Sequence, residues 1–148
     1  MGANKLKIVD ILLVEDSKSD AYLTCETLST SKISHQIHWV KNGVEAIDFL
    51  GQEGEYTKAP RPDLILLDLN LPKKNGREVL VHIKKDEDLK IIPTIVLTTS
   101  VDERDILGSY QLQASCYLVK PLDLDDFLAV IQSIDRFWLT AVTFPSKP

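Results

Sequence analysis

Short apolar runs recur along the chain, and each is too short to form a helix. Four of them, rich in Ile, Leu and Val, lie at residues 11–14, 64–67, 94–97 and 117–119. Compact runs of this kind are typical of strands buried on both faces of a sheet. A fifth, weaker strand is predicted at residues 36–40, before the turn pair Asn42 and Gly43, and we expect it near a sheet edge.

Segments with the spacing of amphipathic helices alternate with these runs. They lie at residues 21–29, 44–50, 77–85, 105–112 and 124 to about 140. Connections of this length are too long for hairpins and favour right-handed crossovers between parallel strands. The alternation therefore predicts an α/β fold, in which helices cover both faces of a parallel sheet. We expect Asp123 to cap the last helix.

The length and composition are those of one ordinary globular domain. The chain has 148 residues, of which 44% are hydrophobic and 26% charged, with a net charge of -5. This acidic balance argues against direct nucleic-acid binding. No stretch approaches the roughly 18 uninterrupted apolar residues of a membrane helix, so we predict no membrane partner. Cys25 and Cys116 form no CxxC pair, which favours a reducing, cytoplasmic setting.

Polar residues follow four of the predicted strands, at the edge where open parallel sheets bind ligands. In chain order they are Glu15, Asp16 and Ser17, then Asp68 and Asn70, then Thr98, Thr99 and Ser100, and finally Lys120. Three carboxylates at one edge would repel one another without a cation, and oxygen ligands suit Mg²⁺ or Mn²⁺. A lysine and a threonine at the same edge of the sheet would bind the oxygens of an incoming phosphoryl group. The pattern predicts phosphoryl transfer onto a carboxylate.

Each of these residues also has a structural explanation. An acidic pair after a strand, such as Glu15 and Asp16, can simply be a favourable charge at a helix N-terminus. Asp68 is harder to explain in this way, because it follows a buried strand, where an unpaired carboxylate is costly. Lys120 follows its strand in the same manner, and we expect it to pair with Asp68. Thr98 is informative only by its position, since threonine is common in strands.

Taken together, these motifs resemble the response regulator receiver domain of two-component signalling. The resemblance rests on residues 12–17, on 66–72 with Gly76, on Thr98, and on 117–121. It implies a flavodoxin-like (βα)5 three-layer sandwich, whose five-stranded parallel sheet has the strand order 2-1-3-4-5. A single receiver domain would span residues 1–148, with its core at about 9–135 and a C-terminal helix extension and tail at about 136–148.

The resemblance also implies roles for the acidic residues at the sheet edge. Asp68 would be the phosphoacceptor. Asp16 and Asp68 would ligate Mg²⁺ directly, together with the backbone carbonyl of Asn70, while Glu15 would act through water.

Further roles follow for the residues of the last two strands. Lys120 would bind a phosphoryl oxygen, and the peptide bond between Lys120 and Pro121 would be cis. Thr98 and Tyr117 would be the switch residues, since Thr98 would move towards the phosphoryl group and Tyr117 would change rotamer to fill the vacated space.

The leading functional hypothesis is a signalling module rather than an enzyme. A sensor histidine kinase would transfer its phosphoryl group to Asp68, and an unidentified downstream protein would bind the altered surface. Residues 71–78 and the tail residues 137–139 resemble the small phytochrome-associated response regulators, which implies a phytochrome as the kinase.

Two alternatives come from other classes of protein. A haloacid-dehalogenase-like phosphatase also uses a strand-end aspartate, but it needs an acid two residues later, where this chain has Asn70. A flavodoxin-like cofactor binder needs a phosphate-binding loop rich in glycine or Ser/Thr after the first strand, which the sequence lacks.

The last predicted helix carries more apolar surface than one sheet can cover. The stripe expected to pack on the sheet consists of Leu124, Phe127, Leu128, Ile131, Ile134 and Trp138, and beside it lie Val130, Phe137 and Ala141. Packing on one side needs a stripe of only about 100°. Either the tail at residues 142–148 folds back over the excess, or a homodimer through the last helix and the fifth strand covers it. We favour the homodimer, because it places Tyr117 beside the interface.

Overall fold

The computed structural model describes residues 8–146, in which five parallel strands form one sheet. The strands are β1 (Val9–Val14), β2 (His35–Val40), β3 (Leu64–Leu67), β4 (Thr94–Thr98) and β5 (Cys116–Val119). Their order is β2-β1-β3-β4-β5, and every neighbouring pair is parallel. The predicted fold class, strand order and edge position of the weakest strand are confirmed.

A helix follows each strand. The helices are α1 (Lys18–Leu28), α2 (Gly43–Gly51), α3 (Gly76–Lys85), α4 (Glu103–Gln111) and α5 (Leu124–Ile134). Within residues 8–146, none of them is long and apolar enough to cross a membrane.

The three central strands are buried on both faces, which explains why the sequence shows continuous apolar runs there instead of alternation. Every residue of β1, β3 and β4 is buried. Successive side chains point to opposite faces of a sheet. Leu12 and Ile65 accordingly join the apolar cluster under α2 and α3, whereas Leu13 and Leu66 join the cluster under α1 and α5.

Polar side chains at the helix N-termini fix where the helices begin. The capping residues are Ser17, Asn42, Asn75, Asp102 and Asp123. The Asp123 carboxylate accepts a hydrogen bond from the Asp126 N–H at 3.1 Å, so the predicted cap is confirmed. The caps of α1 and α3 hold these two helices directly behind the ends of β1 and β3, where the predicted site residues lie.

The start of α3 passes very close to the end of β3. The Gly76 N–H donates to the Leu69 carbonyl at 3.0 Å, and a Cβ on Gly76 would lie 2.6 Å from the Leu69 Cα. Only glycine fits such an approach without moving backbone. Gly76 therefore sets the path of the chain immediately after Asp68.

The last helix differs from the prediction in its C-terminal part. Its α-helical section ends at Ile134, and Asp135–Leu139 form a π-helical turn, in which the Thr140 N–H donates to the Asp135 carbonyl. The wider turn changes which residues face the sheet. Leu139 is buried, whereas Trp138 is only partly buried, and Leu124 at the first position is 53% exposed. The prediction that Leu124 belongs to the buried stripe is therefore wrong, and the same prediction for Trp138 is only partly right.

The tail does not cover the remaining apolar surface of this helix. Phe144 packs into the cluster under α1 and α5, and it lines a cavity with Val9 and Ile33 near the amino end of β1. Phe137 stays 56% exposed. Residues 142–146 therefore do not fold back over Phe137, and the last two residues, 147 and 148, lie outside the described part of the chain.

Candidate acidic and phosphoryl site

Two carboxylates and one ammonium group meet where β1, β3 and β5 end. Glu15, Asp68 and Lys120 each follow directly after one of these strands, and all three are buried. The strands β1 and β3 are neighbours, with Val14 beside Leu67 in the register, so Glu15 and Asp68 are brought together by strand pairing alone. The structure thus assembles the residues that the sequence placed at one sheet edge.

The Lys120 ammonium group is surrounded by carboxylates. Its Nζ donates to Glu15 Oε1 at 2.6 Å, to Asp20 Oδ2 at 2.9 Å and to Asp68 Oδ2 at 3.0 Å. An ammonium group has three N–H donors, and each has a carboxylate partner here. The expected pairing of Lys120 with Asp68 is present, as one of three ion pairs.

Asp20 was not among the predicted site residues. It lies in the first turn of α1, where Ser17 Oγ accepts its backbone N–H at 3.3 Å. The sequence carried a signal for it, because a capping serine directly after the Glu15–Asp16 pair places the next acidic residue of the helix beside the same sheet edge. A cap alone does not reveal which way the side chain of Asp20 points.

Burial and charge act in opposite directions on this cluster. Burial raises the pKa of Glu15 to about 7, and the nearby Asp68 charge adds to this effect while Lys120 opposes it. Burial disfavours the charged form of Lys120, but its hydrogen bonds to Glu15 and Asp20 and the charges of Glu15 and Asp68 outweigh burial and raise the pKa of Lys120. Lys120 therefore remains a cation at neutral pH.

The backbone at Lys120 differs from the arrangement that the family resemblance implied. No peptide bond within residues 8–146 is cis, so the expected cis bond between Lys120 and Pro121 is wrong. The trans form is the more stable one for a bond preceding proline, by about 0.5–1 kcal/mol. Lys120 reaches its carboxylate partners with this bond in the trans form.

A second group of acidic atoms overlaps with this cluster. Carboxylate oxygens of Glu15, Asp16 and Asp68 lie within 4.8 Å of one another. Glu15 Oε2 also accepts the Ser17 N–H at 3.1 Å, and Asp68 Oδ1 accepts the Asn70 N–H at 3.1 Å. The second contact holds the Asn70 backbone beside Asp68.

This donor set fits a hard divalent cation. All of its ligand atoms are oxygens, as Mg²⁺ and Mn²⁺ prefer, and the exposed Asp16 leaves one side open to solvent. The single charge of Lys120 cannot neutralise Glu15, Asp16 and Asp68 together. The residual negative charge favours a bound cation.

The two predicted switch residues meet at one backbone segment. Thr98 is fully buried at the end of β4, and its Oγ1 lies 3.5 Å from the Ser100 nitrogen. The Tyr117 hydroxyl donates to the Ser100 carbonyl at 2.9 Å. Thr98 is also tied to the site through its carbonyl, which accepts the Lys120 N–H at 2.7 Å. Ser100 therefore links Thr98 and Tyr117 to the segment between β4 and α4.

Comparison with known proteins identifies the family. The sequence matches the response regulator receiver domain over residues 11–132. The chain belongs to this family. It is 54% identical to Response regulator Rcp1 of Synechocystis sp. over 136 residues, which cover 92% of each chain. The match gives no support to the phosphatase alternative.

Solved structures of receiver domains agree with the fold. The Mn²⁺-bound form of response regulator Rcp1 has a TM-score of 0.91 at 54% identity, covering 93% of this chain and 99% of that one. The phosphorylated cyanobacterial phytochrome response regulator RcpA has a TM-score of 0.92 at 50% identity, covering 95% and 100%. These two relatives bind a divalent metal and carry a phosphoryl group, respectively, at similar overall structure.

A titration with Mg²⁺ can be followed through Trp39, whose indole N–H donates to the Glu15 carbonyl at 2.7 Å. We expect weak binding of Mg²⁺ at neutral pH. Asp16→Asn should lower the affinity for Mg²⁺ at least about tenfold, because mutating even a residue that only hydrogen-bonds to a metal ligand lowers metal affinity by that factor. The titration is read by fluorescence in a Trp138→Phe background, which leaves Trp39 as the one tryptophan.

Glu26→Gln is the matched control for this titration, because Glu26 is an exposed carboxylate on the same helix that follows Asp16. It should bind Mg²⁺ like the parent protein. Equal affinities of the parent and Asp16→Asn would remove Asp16 from the ligand set.

Proposed function

We propose that this receiver domain accepts a phosphoryl group on Asp68 from the phosphohistidine of a sensor histidine kinase. The observation that carries the proposal is the surroundings of Asp68. Its carboxylate is buried, its two oxygens are oriented by Lys120 and by the Asn70 N–H, and further carboxylates lie beside it. A buried acid held in this way is costly as a purely structural feature, whereas a phosphoacceptor requires an oriented nucleophile.

The transfer needs little from the protein beyond position and charge. An Asp68 oxygen attacks phosphorus, the P–O bond of an acyl phosphate forms, and the P–N bond to the kinase imidazole breaks. Lys120 donates to a phosphoryl oxygen. Asp16, Asp68 and the Asn70 carbonyl would hold Mg²⁺ or Mn²⁺, with Glu15 acting through water. A bound cation would supply the positive charge that offsets the phosphoryl oxygens.

The chain acts on no other substrate in this scheme. Its only reactions are phosphorylation and dephosphorylation of its own Asp68, so it is a signalling module and not an enzyme of metabolism. A downstream protein reads the change that Thr98 and Tyr117 transmit. Because both contact Ser100, a shift of Thr98 towards the phosphoryl group moves the segment to which the Tyr117 hydroxyl is bonded.

A phytochrome is the kinase that we favour. The identity of 50% to the cyanobacterial phytochrome response regulator RcpA extends over 95% of this chain. The setting is the cytoplasm, which agrees with the two free cysteines, Cys25 and Cys116.

The surface beside β5 favours a homodimer. A groove between this edge strand and the end of the last helix is lined by Ser115, Cys116, Leu118, Ser133, Ile134, Phe137 and Trp138. Phe137 stands at its side in edge-to-face contact with Trp138, and the tail leaves it exposed. In a dimer with a twofold axis, the Phe137 side chains of both copies would be buried in the same interface.

Strand pairing across this interface is disfavoured. The Tyr110 hydroxyl, from α4, accepts the outward-facing N–H of Tyr117 at 3.2 Å, which caps part of the free edge of β5. We therefore propose that the two copies meet through side chains of the last helix and β5. Tyr117 then connects the phosphorylation site to the interface.

Asp68→Asn should abolish phosphorylation while the fold is kept, because an amide keeps the volume of the side chain but is no nucleophile. The test mixes each protein with phosphorylated candidate kinases, a phytochrome included, and follows transfer of the label. EDTA should stop the transfer to the unmodified protein. Glu26→Gln, the exposed control, should accept the label normally. Full labelling of Asp68→Asn would refute Asp68 as the phosphoacceptor.

Sedimentation tests the homodimer. The unmodified chain should sediment as a dimer and Phe137→Glu as a monomer, because the substitution buries two charges in an apolar contact. Ile91→Glu is the control, since Ile91 is similarly exposed but lies between α3 and β4. Runs with and without Mg²⁺ and beryllofluoride, a phosphoryl mimic, cover both states. A chain that stays monomeric in both at all accessible concentrations contradicts the homodimer.

A further inference from the structure

Asp20 is a fourth carboxylate at the site. It is neither a proposed metal ligand nor the proposed phosphoacceptor, so the proposed function gives it no role. Its Oδ2 lies 2.9 Å from Lys120 Nζ. It does not belong to the group of carboxylates within residues 8–146 that lie close enough to share a cation. The first turn of α1 and the Ser17 cap fix its position, and a helix N-terminus favours its negative charge.

The three partners of Lys120 use every N–H of its ammonium group. Lys120 must therefore release one of them before it can donate to a phosphoryl oxygen. The Glu15 and Asp68 side chains are only 4% and 7% exposed, whereas that of Asp20 is 32% exposed. A carboxylate already in contact with water is the one that loses its ammonium partner at least cost, because solvent replaces the lost hydrogen bond.

We infer that Asp20 is a positioning residue that competes with the phosphoryl group for Lys120. In the unphosphorylated protein it holds the third N–H of the ammonium group and keeps the side chain of Lys120 at the sheet edge. On phosphorylation the Asp20 carboxylate gives up its hydrogen bond to Lys120 and is hydrated by solvent instead. Asp20 thereby lowers the affinity of the site for a phosphoryl group. This inference rests on the proposed function of the site.

The inference predicts that removing the Asp20 carboxylate strengthens binding of a phosphoryl mimic. At saturating Mg²⁺, Asp20→Ala should lower the half-saturating concentration of beryllofluoride about three- to fivefold, the range that corresponds to a partly exposed ion pair. Isothermal titration calorimetry measures this concentration. Asp20→Asn, which keeps the shape and loses the charge, should shift it in the same direction, and it serves as the test if Asp20→Ala does not fold.

One control separates competition for Lys120 from a general effect of charge. Glu26→Gln removes an exposed negative charge farther along α1 and should leave binding of the mimic unchanged. A merely structural Asp20 would instead lower the unfolding midpoint in urea without strengthening the binding of beryllofluoride.

The outcomes distinguish this inference from the function on which it rests. Unmodified protein that binds beryllofluoride, together with unchanged or weaker binding by Asp20→Ala and Asp20→Asn, overturns the role of Asp20 alone. An unmodified protein that binds no beryllofluoride with Mg²⁺ overturns the proposed function, and the role of Asp20 with it. Tighter binding by both variants, with Glu26→Gln unchanged, supports competition for Lys120.

Discussion

The ammonium group of Lys120 holds together three carboxylates in a place that excludes most water. Without it, Glu15 and Asp68 would be buried charges of the same sign at the ends of two adjacent strands, an arrangement that costs several kcal/mol. The cation makes this arrangement possible but does not neutralise it, because Lys120 is one positive charge beside the four carboxylates of Glu15, Asp16, Asp20 and Asp68. The site is therefore stable yet still short of positive charge. A site in this condition favours a divalent cation, and under the proposed function its lysine would bind a phosphoryl oxygen.

The parallel sheet is what makes such a concentration of charge possible. Its central strands are buried on both faces, so they are held in register by packing and not by the polar residues at their ends. That register places Glu15, Asp68 and Lys120 at the same edge of the sheet. The close approach of Gly76 to Leu69 then directs the chain away behind Asp68. The stability of the core thus supports an edge that contributes little stability of its own.

Much of this could be predicted from the sequence, and the exceptions have physical causes. Apolar runs indicated the three central strands most clearly, because burial on both faces leaves a strong pattern. The two edge strands are less buried and left a weaker pattern. The residues directly after the strands had to share an edge. Asp20 was missed because a helical residue can point in several directions, which only packing decides. The π-helical turn at Asp135–Leu139 was missed for a related reason. It changes which residues face the sheet without altering the apolar composition of the segment.

The central claim is that one positive charge serves both the carboxylates and the phosphoryl group, and Lys120→Met tests it most directly. The two affinities to measure are those for Mg²⁺ alone and for beryllofluoride at saturating Mg²⁺. Removing a cation that competes with the metal should tighten Mg²⁺ binding by at least about tenfold, while beryllofluoride binding should weaken because its ammonium partner is lost. Opposite changes in the two affinities are the predicted result. Weaker binding of both would contradict the account, since it would mean that Lys120 only maintains the structure of the site.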